Sequence, residues 1–535
     1  MAIYFDSIPF VILLTAVVML SIIGVGVACF LAITGKSSNL NGVEVLAYGI
    51  ACGVGIHACM GIITVCLPWS YQFNAAATLI ACNISAWIYL WRVKIFSVLS
   101  TGGWFLTNIL IAAWVFIVAV CLLITYAPIK FPNTLVDGPY VIKNHDLHVK
   151  IQVITGNLPA DNYIPYLAEQ YLLRDIQFSE ERPLMPGQEL SNRPILMSLV
   201  ALPFGASFDP PPKQYGKLPK FTYVGTLWPD VGRLGSDRYF RSFLVVGIVL
   251  NAMLVVAAGL LFASFGLSNV YLVVGLILLI INPYVISQVL FTWPKEMAAF
   301  FLLMATHAIR FRRNLVLAGI LSALGYLSHP YAIVFAFSYA VYLFLSGSDI
   351  SVRIKKVVTF GVSFVLVVAP WFIWSRIILA IPSDLIAQNF DSSASIVDLL
   401  WVRLHNGYIA TFPSFFQDYP LLANQFVQEN LVSLPGAVGL FFIWAAYAGC
   451  FYYARSLRFL IFFGIVIPGA LLIGVFSSPA VPVLMGFQAI APVLLLLSLK
   501  WMQDRLKFRW LIICFAFQVS TSVAMIVARA SSLGL

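Results

Sequence analysis

Fourteen runs of apolar residues follow one another along the chain, most of them close to the length of a bilayer crossing. A helix needs about 20 mainly apolar residues to cross the hydrocarbon core. The runs fall at 9–34, 43–67, 75–91, 104–127, 242–265, 269–286, 294–309, 315–327, 330–346, 357–380, 432–451, 458–476, 480–499 and 510–529. Ser328-His329-Pro330 separates two of them, which read either as two short helices or as one broken helix. Only 10% of the 535 residues are charged and 61% are hydrophobic, too little charge to solvate the surface of a water-soluble chain. Soluble enzymes, disordered scaffolds and disulfide-stapled secreted domains are excluded. The chain reads as an all-α polytopic membrane protein.

The formal charge of +10 is placed for topology rather than for nucleic acid. Alternate connections hold Lys36, Arg92, Lys94, Arg310, Arg312, Arg313, Arg353, Lys355, Lys356, Arg455, Arg458, Lys500, Arg505, Lys507 and Arg509, against only Asp349 and Asp504. The positive-inside rule makes this set cytoplasmic. Both termini and the long stretches 128–241 and 381–431 are then expected outside. The first 35 residues contain no Lys or Arg, so the first run is expected to be a retained span rather than a cleaved signal. All eight cysteines lie in apolar segments without a CxxC pair, which points to inert core thiols.

Charges within the spans would mark an ion pathway, and they are scarce. His57 and His307 are the main imidazoles at depth and read as structural. The acids and bases gather instead where the outer interface is expected. Leu135-Val136-Asp137-Gly138-Pro139-Tyr140 follows the fourth span, then Asn144-His145-Asp146-Leu147-His148, then Gly156-Asn157-Leu158-Pro159-Ala160-Asp161. A carboxylate just above the headgroups suits a general base acting on a hydroxyl while a lipid-borne donor stays in the membrane. The plainer reading of each Asp is a turn or cap residue. His145, Asp146 and His148 lack a fourth partner and make a poor metal site. Glu189 and Arg193 precede the apolar stretch 195–204, which is too short to span and is expected to lie in the interface.

Three further motifs fall on the same side: Thr292-Trp293-Pro294-Lys295-Glu296, Tyr326-Leu327-Ser328-His329-Pro330 and Trp371-Phe372-Ile373-Trp374-Ser375-Arg376. Lys295, Arg376 and His329 stand where a lipid phosphate would lie. Snorkelling anchors beside interfacial Trp are the plainer alternative.

This order of parts resembles the GT-C superfamily of integral-membrane glycosyltransferases. The shared layout is one span, a long outer loop and six further spans, which would run here over 104–380 with 128–241 as the loop domain. Residues 1–103 would be three additional spans, 381–431 a second outer loop, and 432–535 C-terminal spans. His145-Asp146-Leu147-His148, Gly156-Asn157-Leu158-Pro159 and the Ser328-His329-Pro330 junction are similar to that family's motifs. The chain differs in its three leading spans and in lacking an adjacent acidic pair. The resemblance implies a polyprenyl-phosphate-linked sugar donor and a glycan, glycolipid or protein acceptor, as in polysaccharide biosynthesis at a cell envelope, with a bacterial inner membrane as the expected home. It implies Asp137 as the base with Asp146 as the second candidate, and Lys295, Arg376 and His329 as phosphate ligands. His148, Asp161, Glu189 and Arg193 are then candidates for the acceptor or loop site. No metal site is assigned, no cofactor is named, and a divalent cation is left open.

Three other readings compete. An O-antigen polymerase or ligase would use a late loop, where Arg403-Leu404-His405 stands. A transporter or flippase for a lipid-linked substrate would place facing polar residues at mid-membrane. A structural membrane subunit would use the outer loop only to bind a partner.

Overall fold

The computed structural model describes residues 8–35, 40–101, 103–126, 135–137, 140–142, 164–174, 178, 193–208, 237–290, 292–346, 349–380, 397, 460–475 and 485–505, with a few positions between 509 and 520. Helices dominate. Among the described residues, six are long and apolar enough to cross a membrane: Ile8–Thr34, Gly42–Cys66, Tyr71–Arg92, Trp104–Leu123, Tyr239–Ser264 and Ile350–Ile378. The shorter apolar helices Leu196–Ser207, Asn269–Ile280, Leu315–Ser328 and Ala332–Leu345 complete the bundle.

The first unit is α1 (Ile8–Thr34), α2 (Gly42–Cys66), α3 (Tyr71–Arg92), the short α4 (Ile95–Leu99) and α5 (Trp104–Tyr126). Asn41 and Glu44 start α2 with a reciprocal capping box. Gly49 and Gly53, one helical turn apart on α2, allow α1 to approach backbone to backbone. A Cβ on Gly53 would meet Ile22 O, and one on Gly26 would meet Gly49 O. Small residues with this spacing let helices pack closely where water provides no driving force.

A two-stranded antiparallel ribbon follows, β1 (Leu135–Asp137) on β2 (Tyr140–Ile142), with Asp137 opposite Tyr140. Next are α6 (Ile164–Leu173) and α7 (Leu196–Phe208). The expectation that 195–204 lies in the interface is corrected: α7 is buried and packs against α2, α3 and α8 (Asp237–Ala252). A helix apolar all round suits the interior of a bundle as well as a membrane surface, and hydropathy does not separate the two.

The centre of the bundle is α8, α9 (Leu254–Ser264) and α12 (Lys295–His307), reached through α10 (Asn269–Ile280) and α11 (Pro283–Leu290). Every residue of α12 is buried. Then come α13 (Leu315–Ser328), α14 (Ala332–Leu345) and α15 (Ile350–Phe372), whose Pro370 precedes a π-helical turn at Ile373–Ile378. Pro cannot donate to the helix ladder, which accounts for a register change at that point. α16 (Ile467–Val475) and α17 (Phe487–Arg505) pack on the same bundle. The outer helices turn large apolar side chains away from the protein, among them Ile12 65%, Trp91 80%, Leu123 71%, Phe337 70% and Leu366 70% exposed. Such a surface needs lipid against it. The 432–451 run and most of 510–529 lie outside the described residues, as does the 381–431 loop except Val397.

The α1–α2 contact gives a direct test of this packing. Gly53→Leu is expected to cost about 1–3 kcal/mol of overpacking and to lower the melting temperature of the detergent-solubilised protein. Gly55→Ala has nothing within 4 Å of its added Cβ and is expected to leave the melt unchanged.

Candidate functional site

Two prolines shape the site. Pro294 stands at the N-cap of α12, so the chain is non-helical through Trp293 and the helix begins at Lys295. Pro330 disfavours helix for the residue before it, so α13 stops at Ser328 and His329 is extended, at φ −148° and ψ 135°. The two breaks face each other across a narrow cleft. Arg193, Trp293 and His329 line it, and α6 supplies the wall through Ile164, Pro165 and Ala168. Ser198 of α7 holds that wall by donating to Pro165 O at 2.6 Å.

Trp293 organises the charges. Lys295 Nζ sits 4.2 Å from its ring centroid and Arg193 Cζ 5.1 Å. A desolvated cation over an indole gains about 2 kcal/mol, which helps to keep Lys295 in a fully buried place. The His329 ring is 5.1 Å from Trp293 and 5.0 Å from Tyr331, whose hydroxyl donates to Lys295 O at 2.8 Å. Burial, then the Lys295 and Arg193 charges, hold the His329 imidazole well below its ordinary range, so the ring is neutral. Behind Lys295 lies Glu296, also fully buried, with neither carboxyl oxygen in a hydrogen bond. A buried carboxyl with no hydrogen bond is costly to ionise.

Lys295 and His329, expected as phosphate ligands, are therefore brought together. Arg193, expected at the acceptor side, joins them. Arg376 does not line the cleft; it is half-buried near Tyr326. Trp374 forms a separate aromatic group with Trp371 at 5.6 Å and Phe178 at 5.6 Å, and Phe178 packs on Tyr171 of α6 at 5.1 Å. Asp137 is described as the last residue of β1, by its backbone alone, and Asp146, His148, Asp161 and Glu189 lie outside the described residues. Among the described residues no group of three His, Cys, Asp or Glu side chains is placed to hold a metal ion.

Two polar groups went unread in the sequence. Glu169 of α6 is fully buried and accepts the Tyr239 hydroxyl at 2.6 Å, tying the cleft wall to α8. Glu169-Gln170 in an otherwise apolar segment was the available signal. Asn251 interrupts the apolar run of α8 and bonds to the broken backbone, donating to Gln288 O and Trp293 O at 3.4 Å each and accepting Met297 N–H at 3.3 Å. At depth, His57 bonds Ser21 Oγ and Gly53 O at 2.7 Å each. At the other end of α12, His307 bonds Tyr48 and Ser264, and Arg312 pairs with Glu44. These partners close both histidines into the fold.

Burial pushes the Glu169 carboxyl up to about 8, with the Tyr239 hydrogen bond acting in the opposite sense. The folded state then holds a proton that the unfolded chain releases near the ordinary carboxylate value, so this contribution to stability is full at acid pH and is lost as pH rises toward 8. Wild-type protein is expected to lose thermal stability relative to Glu169→Gln across that interval. Parallel melting curves for the two proteins from acid pH to above 8 would contradict the assignment.

The chain matches no protein-family model, no curated protein and no solved structure.

Proposed function

We propose that the protein is a membrane glycosyltransferase that moves a sugar from a polyprenyl-phosphate donor to an acceptor hydroxyl on the extracytoplasmic side. The observation that carries this reading is the gathering of Arg193, Lys295 and His329 around Trp293 at the end of α12 opposite its arginines, with Arg193, Trp293 and His329 lining the cleft and Lys295 buried over the Trp293 ring behind it. The Arg310, Arg312 and Arg313 cluster marks the cytoplasmic end by the positive-inside rule, so the cleft falls on the other face. An anionic lipid headgroup at that depth meets Arg193 and His329, with the Lys295 charge close behind.

The chemistry is a single displacement with inversion. The acceptor oxygen attacks the anomeric carbon as the carbon–phosphate oxygen bond breaks. The bonding pair leaves on the phosphate, and the acceptor proton goes to a carboxylate, for which Asp137 is the first candidate and Asp146 the second. A departing phosphate needs fixed positive charge more than it needs a proton. Arg193 and Lys295 provide it, and the apolar helices around the cleft hold the polyprenyl chain beside its headgroup. The acceptor is a glycan, glycolipid or protein.

A transporter of a lipid-linked substrate is the second reading. It draws on the facing polar side chains in the bundle, His57 with Ser21 and Asn83, and Gln288 with Gln488 at 3.2 Å. Their mutual hydrogen bonds favour the enzyme reading, because a transport path needs groups that exchange partners with cargo.

Sugar transfer from a set of polyprenyl-phosphate sugars in isolated membranes separates the two. Wild type is expected to transfer one sugar. Asp137→Asn is expected to lose about 10²–10⁴-fold in rate as the base is removed. Lys295→Met is expected to lose about 10²–10³-fold as leaving-group stabilisation is removed. Loss in Asp146→Asn alone keeps the enzyme class and moves the base. No transfer by wild type with any donor gives the transport reading precedence.

A further inference from the structure

The His329 ring has one nitrogen in use and one idle. Its own backbone N–H donates to Gly325 O at 2.9 Å, which fixes where the residue leaves α13. Nδ1 accepts the backbone N–H of Tyr331 at 3.3 Å. A ring nitrogen that accepts carries no hydrogen, so the ring proton resides on Nε2. An imidazolium would present N–H groups at both nitrogens and set one against the Tyr331 N–H. Trp293 on one side and Tyr331 on the other hold the ring, which is 1% exposed.

Nε2–H therefore points away from the Tyr331 N–H and has no acceptor among the described residues. A buried donor left unmade costs about 1–3 kcal/mol. His329 lines the cleft, and the polar side chains beside it do not supply the missing oxygen. Arg193 has donors only, and the Ser198 hydroxyl is directed to Pro165 O. Lys295, over the Trp293 face, is likewise a donor, and Glu296 behind it makes no hydrogen bond. Among the described residues, what the cleft lacks at this nitrogen is an acceptor oxygen.

We propose that His329 binds the donor lipid as a neutral, directional N–H donor to a phosphate oxygen, while Arg193 and Lys295 supply the charge. The inference rests on the cleft being the phosphate site. It separates His329 from the role of a third cation. It also removes His329 as a general acid: a neutral ring whose Nε2 proton is held in the hydrogen bond does not protonate the departing phosphate, which leaves as the anion. Recognition of a phosphodiester then does not follow the titration of a histidine.

The test uses the purified full-length chain in neutral detergent and dihexyl phosphate, a diester that keeps one negative charge across the pH range used. His329→Gln places an amide N–H near the position of Nε2, whereas His329→Asn reaches only the position of Nδ1. Binding is expected to weaken about 10- to 100-fold in His329→Asn, the scale of one hydrogen bond to a charged group. His329→Gln is expected to stay within about threefold of wild type, since it keeps the donor. Wild-type affinity is expected to be level from about pH 5.5 to 7, where a histidine cation would titrate and the Glu169 carboxyl in the cleft wall still holds its proton. Equal binding by wild type and His329→Asn would overturn the inference, and so would wild-type affinity that falls through the histidine range, a measurement that needs no variant. Failure of wild type to bind dihexyl phosphate at any pH would overturn the phosphate site itself, and the inference with it.

Discussion

A helix that breaks inside a bilayer-embedded bundle frees backbone groups that no water is there to satisfy. The site depends on how this chain meets that constraint. Between α11 and α12 the backbone leaves the helix, and Asn251 of α8 takes up the freed groups with both ends of its amide. Lys295 N bonds back to Trp293 O at 2.7 Å, and Lys295 O receives the Tyr331 hydroxyl. The second break, at His329, is bonded to Gly325 and Tyr331. Each break is supported partly by the other, so the two proline junctions behave as one unit.

The same arrangement explains how charge survives there. Lys295 opens a helix whose every side chain is buried, and its ammonium does not reach water. Trp293 presents its face to Lys295 and to Arg193, which arrives from the segment just before α7. The burial of α7 among α2, α3 and α8 is what holds Arg193 in place. Thus α2 and α3 support the cleft through α7. At the opposite end of α12, Glu44 of α2 pairs with Arg312, so those spans grip this helix region at both ends.

The six long apolar helices among the described residues were legible because such runs have one stable form in lipid, whereas the 269–286 run divides at Pro283 into α10 and α11. The breaks at Pro294 and Pro330 were legible because proline leaves little choice to the residue before it. The partnership of Lys295 with His329 followed from their equal depth on antiparallel neighbours. Arg193 was read as belonging elsewhere, since about a hundred residues separate it from Trp293 and only the packing of α7 brings them together. The interface reading of 195–204 failed because hydropathy measures avoidance of water and does not distinguish protein from lipid. Arg376 shared the depth of the others but sits near Tyr326, a difference of rotation about the bundle that span counting does not carry. Asn251 and Glu169 looked like isolated polar residues, and their meaning lay in backbone and side chains remote in sequence.

The claim on which the account turns is that this cleft seats a lipid phosphate. A cryo-electron microscopy map of the full-length protein in nanodiscs containing a polyprenyl phosphate tests it directly. The account predicts phosphate density between Arg193, Lys295 and His329, with the chain running outward along the apolar helices. Well-ordered lipid phosphate beside Arg376 or the Arg310, Arg312 and Arg313 cluster, with the cleft filled only by water, would contradict it.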